Sequence, residues 1–411
     1  MAEEFISLFV ITAIAALCPI AARLVPGKLV PETVFLLITG AVLGPHLAGL
    51  IQITEPIDLV SELGLAFLFL LAGYEIDPDS LTGRQGKRGL ATWIVSIALA
   101  FAAVRLSPDF SVSHIDGIAA AIALTTTALG TLMPILKERG LSGTPVGDAI
   151  LSYGTWGELC PVLAMAVLLS ARSTWQTLAI LALFVAVAAA AAIVPAKARR
   201  AGHRLFAFFE KTRHTTSQTL VRWVVVLLVG LVALSAAFNL DIVLGAFAAG
   251  FVLRYIIPEG DHALEHKLEG IAYGFLIPVF FVVSGAKIDL SAVGQQPALL
   301  AGFILMLLLI RAVPIFVSLS LDKQARAQLD VNLRLTVALY CTTALPIIVA
   351  VTAVAVKAGA MPEQTAGVLV AAGAVTVFLM PLLATLAHHA LGRAEEGDGG
   401  TRPARQPRRR P

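Results

Sequence analysis

The stretch SYGTWGELCPV, from Ser152 to Val162, holds one formal charge, Glu158, in an apolar run that begins about Val146 and ends about Ala171. A second charge, Arg311, interrupts LMLLLIRAVPIF in the same way. Glu158 stands about twelve residues from either end of its run, roughly 18 Å along a helix axis at 1.5 Å per residue. A lone charge at the centre of a bilayer costs at least about 2.5–3.5 kcal/mol, so a residue kept there is first read as functional. Loss of water favours the protonated carboxyl, and a neighbouring arginine favours the carboxylate. A carboxyl balanced between those effects releases a proton and accepts a monovalent cation. It cannot hold both, and that competition alone couples two fluxes. The plain alternative is a structural pair between Glu158 and Arg311.

The neighbours of Glu158 suit an ion. Pro161 removes the helical donor of the Gly157 carbonyl. Gly157 leaves room for an ion or a close backbone, and Thr155 lies one turn earlier on the same face. Glu158, Gly157 and Thr155 are therefore the candidate proton and cation site. Two further segments, ALTTTALGTLMP and YCTTALP, set adjacent threonines and a proline inside apolar runs. Pro134 is expected to free the Gly130 carbonyl, and Pro346 the Thr342 carbonyl. In hydrocarbon such groups must find partners or line a cavity. Thr126, Thr127, Thr342 and Thr343 are thus candidates for the ion path, with helix breaks at Pro134, Pro161 and Pro346. The competing reading has the threonine hydroxyls satisfying the backbone locally. Alkali cations, like the hard divalent ones, want several oxygen ligands. Arg311 is expected to tune the carboxylate or to steady the crossing. Glu75 and Asp77 read as charges at a helix end, and His388 and His389 have no carboxylate company. No metal beyond an alkali cation on Glu158, and no cofactor, is expected. With no GxSxG, HExxH or phosphate loop, the sequence does not read as an enzyme.

Such a site needs helices that span a membrane. Hydrophobic types make up 58% of the 411 residues and charged types 14%, too little charge to cover a soluble protein of this size. Apolar runs of membrane-spanning length start near residues 5, 31, 58, 88, 114, 146, 175, 218, 240, 268, 296, 331 and 363. The expected fold is an all-α polytopic membrane protein of about thirteen transmembrane helices. The acidic start, MAEEFISLFV, reads as a retained first helix. Cys18, Cys160 and Cys341 are too far apart for a metal motif. Alternate loops carry the lysines and arginines: Arg23 and Lys28; Arg84, Lys87 and Arg88; Lys137 and Arg139; the cluster from Lys197 to Arg213; Arg254 and Lys267; Lys323, Arg326 and Arg334. The other loops hold only Arg105, Arg172, Lys287 and Lys357. The excess of positive charge on cytoplasmic loops then sets the topology of a plasma-membrane protein, N-terminus outside and C-terminus cytoplasmic. Residues 393–411 read as a disordered basic tail that anchors this topology, with no nucleic-acid partner.

The two halves repeat. LLITGAVLG (36–44) matches GAFAAGFVL (245–253), FLFLLAGYEID (67–77) matches VFFVVSGAKID (279–289), and TTALGTLMPILKERG (126–140) matches the start of TTALPIIVAVTAVAVKAG (342–359). Gly40 aligns with Gly250 and Gly73 with Gly285; the three offsets are 210, 212 and 216. The shift is seven spans, an odd number, so the repeats are expected to be inverted in the membrane. Inverted repeats with interrupted helices point to a transporter with its site near the midplane. Neither Glu158 nor Arg311 has a charged repeat mate.

These stretches resemble the monovalent cation:proton antiporters of the second branch of the cation/proton antiporter superfamily, above all its potassium-efflux-type and sodium/proton-exchanger membrane domains. The resemblance runs over most of residues 30–390 and is most specific from Thr125 to Met165. It implies the sodium/proton antiporter fold, a homodimer in a lipid bilayer, and a transmembrane domain over 1–392. The core helices would lie at about 88–172 and 296–392, moving like an elevator against dimerisation helices at about 5–75 and 175–286. Relatives carry a pair in the sixth span, Asp-Asp, Asn-Asp or Gln-Asp; here it falls on Gly157 and Glu158, a departure at both positions. Where electrogenic members have a lysine, this chain has Arg311. The expected activity is electroneutral exchange of Na+ or K+ for H+ carried by Glu158. A channel-like potassium efflux pathway, a non-transporting sensor, and an exporter of an organic ion or metal–ionophore complex are the alternatives. Potassium-efflux members usually continue into a nucleotide-binding domain; about twenty residues follow the last span here.

Overall fold

The computed structural model describes residues 2–24, 32–76, 83–106, 114–168, 181–190, 218–238, 240–257 and 262–398, together with Leu81 and Ala179. Lys28, Asp77, Arg172, and the basic cluster of 197–213 lie outside them. The described chain is all-helical. In order it forms α1 (Ala2–Leu24), α2 (Glu32–Leu43), α3 (Glu55–Glu75), α4 (Arg84–Leu106), α5 (His114–Ala123), α6 (Leu129–Glu138) and α7 (Pro145–Leu168). There follow α8 (Leu181–Ala190), α9 (Thr219–Ala237), α10 (Ile242–Ile256), α11 (His262–Ala286) and α12 (Pro297–Leu321). Two six-residue helices, Leu290–Gln295 and Lys323–Gln328, flank α12, and the last three are α13 (Val331–Tyr340), α14 (Leu345–Lys357) and α15 (Glu363–Asp398). Among the described residues, nine helical stretches are long and apolar enough to cross a membrane, and α2, α8 and α10 are shorter apolar helices. Phe5 and Phe9 on α1 and Trp223 on α9 face outward, as a lipid-facing surface allows.

Two groups of helices result. In one, α10 packs along α3, α2 packs along the second half of α11, and α9 covers α10. In the other, α4 packs on α7, α5 packs on α14, and α13 and α14 both pack on α15. The repeat read in the sequence sets the first group's closest contacts. A Cβ at Gly40 would overlap the Val282 carbonyl oxygen, and one at Gly285 would overlap that of Leu37. Shifted by the sequence offsets, the same two contacts recur as Gly250 on Leu70 and Gly73 on Phe247. The matched glycines thus let two helix backbones touch, twice, in equivalent places.

Prolines explain the irregular turns. α11 carries a π-helical turn at Ala272–Leu276 just before Pro278, and α12 one at Leu308–Ala312 just before Pro314. The widened turn relieves the clash and the missing donor that each proline brings. Three sequence expectations change here: Pro134 and Pro161 do not break their helices, since α6 and α7 run through them. Pro346 does not break a helix from within: it sits in the first turn of α14, where no helical donor is needed, and the break covers residues 341–344 before it. α15 continues to Asp398, into the segment expected to be disordered, because Ala394, Glu395 and Glu396 are good helix formers.

Candidate ion site at the helix crossing

Breaks 124–128 and 341–344 meet. The Ala128 amide donates to the Thr343 carbonyl at 2.8 Å, and the Thr127 hydroxyl donates to the Cys341 carbonyl. The following helices both begin at equivalent positions, Leu129 and Leu345, one repeat offset apart. Each break leaves carbonyls at the end of the preceding helix, and threonine hydroxyls satisfy several of them. Thr125 donates to Ile122 (2.9 Å), Thr126 to Ala123 (2.7 Å), and Thr342, the repeat mate of Thr126, to Leu339 (2.6 Å). For Thr126 and Thr342 the hydroxyl proton is therefore given to the local backbone. Thr155 also bonds within its own helix, to Leu151 at 2.7 Å. Its hydroxyl proton is committed to that carbonyl.

Thr127 and Thr343 are repeat mates with different surroundings. The Thr127 hydroxyl accepts from Arg311 Nε (3.1 Å) and Nη2 (3.0 Å) while donating to Cys341. Thr343 Oγ1 is buried with no hydrogen-bond partner. Of the four threonines expected to line a path, Thr343 alone keeps a buried, unengaged hydroxyl.

Glu158 is 3% exposed on α7. The Leu129 and Gly130 N–H groups, the first two of α6, face its carboxylate, where the positive end of a helix favours negative charge. Its Oε2 has no hydrogen-bond partner. Arg311 does not pair with it. The fully buried guanidinium instead bonds Thr127 and the Tyr153 carbonyl (2.9 Å), with Nη1 unpartnered. The alternative reading, a structural Glu158–Arg311 pair, is thus not what the packing forms; adjacent residues of α7 point about 100° apart around the axis, so Arg311 meets the Gly157 side and Glu158 the other.

Gly157 also departs from expectation. Its carbonyl, freed by Pro161, accepts the Thr127 amide at 2.8 Å and is not open to an ion. The space it leaves is filled by Arg311, not by a cavity: a Cβ there would stand 2.6 Å from Thr127 Oγ1 and 2.9 Å from Arg311 Cζ. The Gly130 carbonyl, in the same helix as Pro134, accepts a long hydrogen bond, 3.4 Å, from the Tyr273 hydroxyl in the π turn of α11. Sequence reasoning missed that contact, and it missed Glu75. Placed at the end of α3, Glu75 lies within electrostatic reach of both Glu158 and Tyr273. Only the proline after the π turn hints at Tyr273. Nothing local in the sequence signals that α3 brings Glu75 toward α7.

Toward the other end of α7 a polar clamp joins α4 to the segment after α12. Asp322, its side chain 6% exposed, takes Arg84 Nη2 at 3.0 Å and Arg88 Nη1 at 3.2 Å, and caps the next turn through the Gln324 amide. The Tyr153 and Ser318 hydroxyls meet at 2.9 Å nearby.

Residues 10–386 match the family described as sodium/hydrogen exchanger, transmembrane. The chain belongs to the sodium/hydrogen exchanger family. It is a transporter family and not one of enzymes. Among relatives of this chain, YjbQ of Bacillus subtilis (strain 168), provisionally named a Na(+)/H(+) antiporter, is 28% identical over 320 residues, 74% of this chain and 50% of YjbQ. The glutathione-regulated potassium-efflux system protein KefC of Salmonella arizonae is 29% identical over 301 residues, 71% of this chain and 46% of KefC. The chain thus spans about half the length of these two relatives. The sodium proton antiporter MjNhaP1 from Methanocaldococcus jannaschii, solved at pH 8, superposes with a TM-score of 0.61 at 15% identity, covering 95% of this chain and 100% of that one. That likeness shows a shared antiporter fold.

Proposed function

We propose that this exchanger is a secondary antiporter that trades Na+ or K+ for H+, one for one, with Glu158 as the only carrier. One observation carries the reading. A carboxylate 3% exposed, with an unpartnered oxygen, sits at the positive end of a helix beside the crossing of two broken helices, with no ion pair to Arg311. Such a group has a place for a proton or a cation and no fixed counter-charge to displace. Thr343, with its unengaged hydroxyl, supplies a second oxygen. Arg311 is charged throughout. The proton-loaded and cation-loaded sites then carry equal charge, and exchange moves none across the membrane.

The matched glycine contacts and the matched helix starts at Leu129 and Leu345 support two inverted repeats within about thirteen crossings. The packing supports a core of α4–α7 and α12–α15 that slides against a scaffold of α1–α3 and α8–α11, which would also form a homodimer. The alternation of basic loops supports an N-terminus outside and a C-terminus in the cytoplasm.

The test is exchange in proteoliposomes with an internal pH dye and imposed Na+ or K+ gradients. Wild type alkalinises or acidifies the lumen in response to the cation, and clamping the membrane potential leaves the rate unchanged. Glu158→Gln, confirmed as folded by its size-exclusion profile, loses exchange. Full exchange by this variant would remove Glu158 as carrier, and potassium leak that persists in it would favour a channel.

A further inference from the structure

Gly157 touches no open space, yet it is the one position on α7 whose missing side chain is taken up by another residue's charge. Arg311 Nη2 and Cζ occupy the volume where a Cβ would stand, and Thr127 Oγ1 closes the remainder. Held there, the guanidinium bridges the Tyr153 carbonyl on α7 to the Thr127 hydroxyl in the break. The Thr127 amide makes the second tie, to the Gly157 carbonyl. Two residues on from Thr127, α6 begins, and its first N–H groups face Glu158. The connection from Gly157 to the carboxylate is therefore continuous: Gly157 seats Arg311, Arg311 and the Gly157 carbonyl hold Thr127, and Thr127 sets where α6 starts.

We propose that Gly157 is a positioning residue for Glu158, acting through the seat it leaves for Arg311. This goes beyond the exchanger reading in assigning the glycine to neither ion nor proton; it rests on that reading only for its effect on transport. A side chain at 157 has to push out the guanidinium, because the competing neighbours are a buried hydroxyl and the helix's own backbone. Thr127 then loses the bridge to Tyr153, and the α6 amides lose their aim at Glu158. Donors withdrawn from a carboxylate favour its protonated form.

The experiment uses the full-length protein in detergent and dicyclohexylcarbodiimide, which couples to protonated carboxyls in apolar surroundings. Labelling of Glu158 is followed by mass spectrometry against pH, which needs no transport. Gly157→Ala moves the labelling midpoint up by about one pH unit, as expected for loss of backbone donors to the charged form. Gly230→Ala, where nothing lies within 4 Å of the added methyl, leaves it in place. On an Arg311→Ala background, Gly157→Ala adds no further shift, since the seat is already empty. Should Arg311→Ala fail to insert, Thr127→Val serves as the background: the guanidinium is still seated there but its hydrogen bonds to the break are already lost, so Gly157→Ala again adds no further shift. An unchanged midpoint in Gly157→Ala, or an equal shift on both backgrounds, overturns the proposal. Absence of exchange by the wild type in vesicles would instead remove the exchanger reading and leave the labelling result standing.

Discussion

The Thr127 amide donates to the Gly157 carbonyl at 2.8 Å, tying the gap between α5 and α6 to the middle of α7. It is a contact between the two features that Pro161 and the threonine run had separately suggested. A carbonyl released inside hydrocarbon has been answered by an amide released in a neighbouring break. Among the described residues, the crossing leaves Glu158 Oε2, Thr343 Oγ1 and Arg311 Nη1 without hydrogen-bond partners, and the first two are the oxygens of the proposed ion site.

Thr343 should therefore separate from Thr126 and Thr342 on substitution. Thr343→Val removes a hydroxyl that bonds nothing else, so the cation concentration for half-maximal exchange rises several-fold while thermal stability holds. Thr126→Val and Thr342→Val each lose one local hydrogen bond, about 1 kcal/mol of stability, with half-saturation near wild type. Cation titrations of dye-reported exchange, set beside melting curves, check this; equal shifts for all three would refute it.

The close helix contacts predict a symmetric stability series. Gly73→Ala and its mate Gly285→Ala, and Gly40→Ala and Gly250→Ala, each force two backbones apart and should cost at least about 1–3 kcal/mol. Gly270→Ala, on α11 with open space around the added methyl, should be neutral or slightly stabilising. Melting temperatures from fluorescence-detected size exclusion separate the two groups. A melting point for Gly73→Ala equal to that of Gly270→Ala would contradict the packing.

Asp322 joins two arginines and caps a helix turn, with its side chain 6% exposed. Asp322→Ala leaves Arg84 and Arg88 without that partner and should lower stability by about 1–3 kcal/mol, discounted because Arg84 is largely exposed. The Lys287–Asp58 pair, 2.6 Å but about half exposed on both sides, is the contrast: Lys287→Ala should change stability by less than about 1 kcal/mol. Thermal unfolding at two salt concentrations tests both.

Tyr273 links the π turn of α11 to the Gly130 carbonyl on α6, across the boundary between the two helix groups. If those groups slide, this bond breaks in every cycle. Tyr273→Phe should then alter the maximal exchange rate by a few-fold while leaving the cation half-saturation unchanged. A change confined to half-saturation would show that Tyr273 belongs to the site and not to the boundary.

Much of this was legible in the residues. The apolar runs dictated membrane helices, because backbone groups in hydrocarbon must be satisfied internally. The glycine and threonine matches at offsets of 210, 212 and 216 announced the repeat, and each offset reappears as a contact or a helix start. Glu158 stood out by charge alone. What the residues did not declare was who meets whom. Prolines mark a freed carbonyl but not its eventual donor, so Gly157 seemed open to an ion until Thr127 was seen to occupy it. Arg311 and Glu158 could have been partners, each a lone charge in an apolar run; the rotation of one residue around α7 sends them to different neighbours. Glu75 and Tyr273 approach the site from helices distant in the chain. Local chemistry determines which groups need a partner, and only the packing of helices far apart in sequence decides which partner they find.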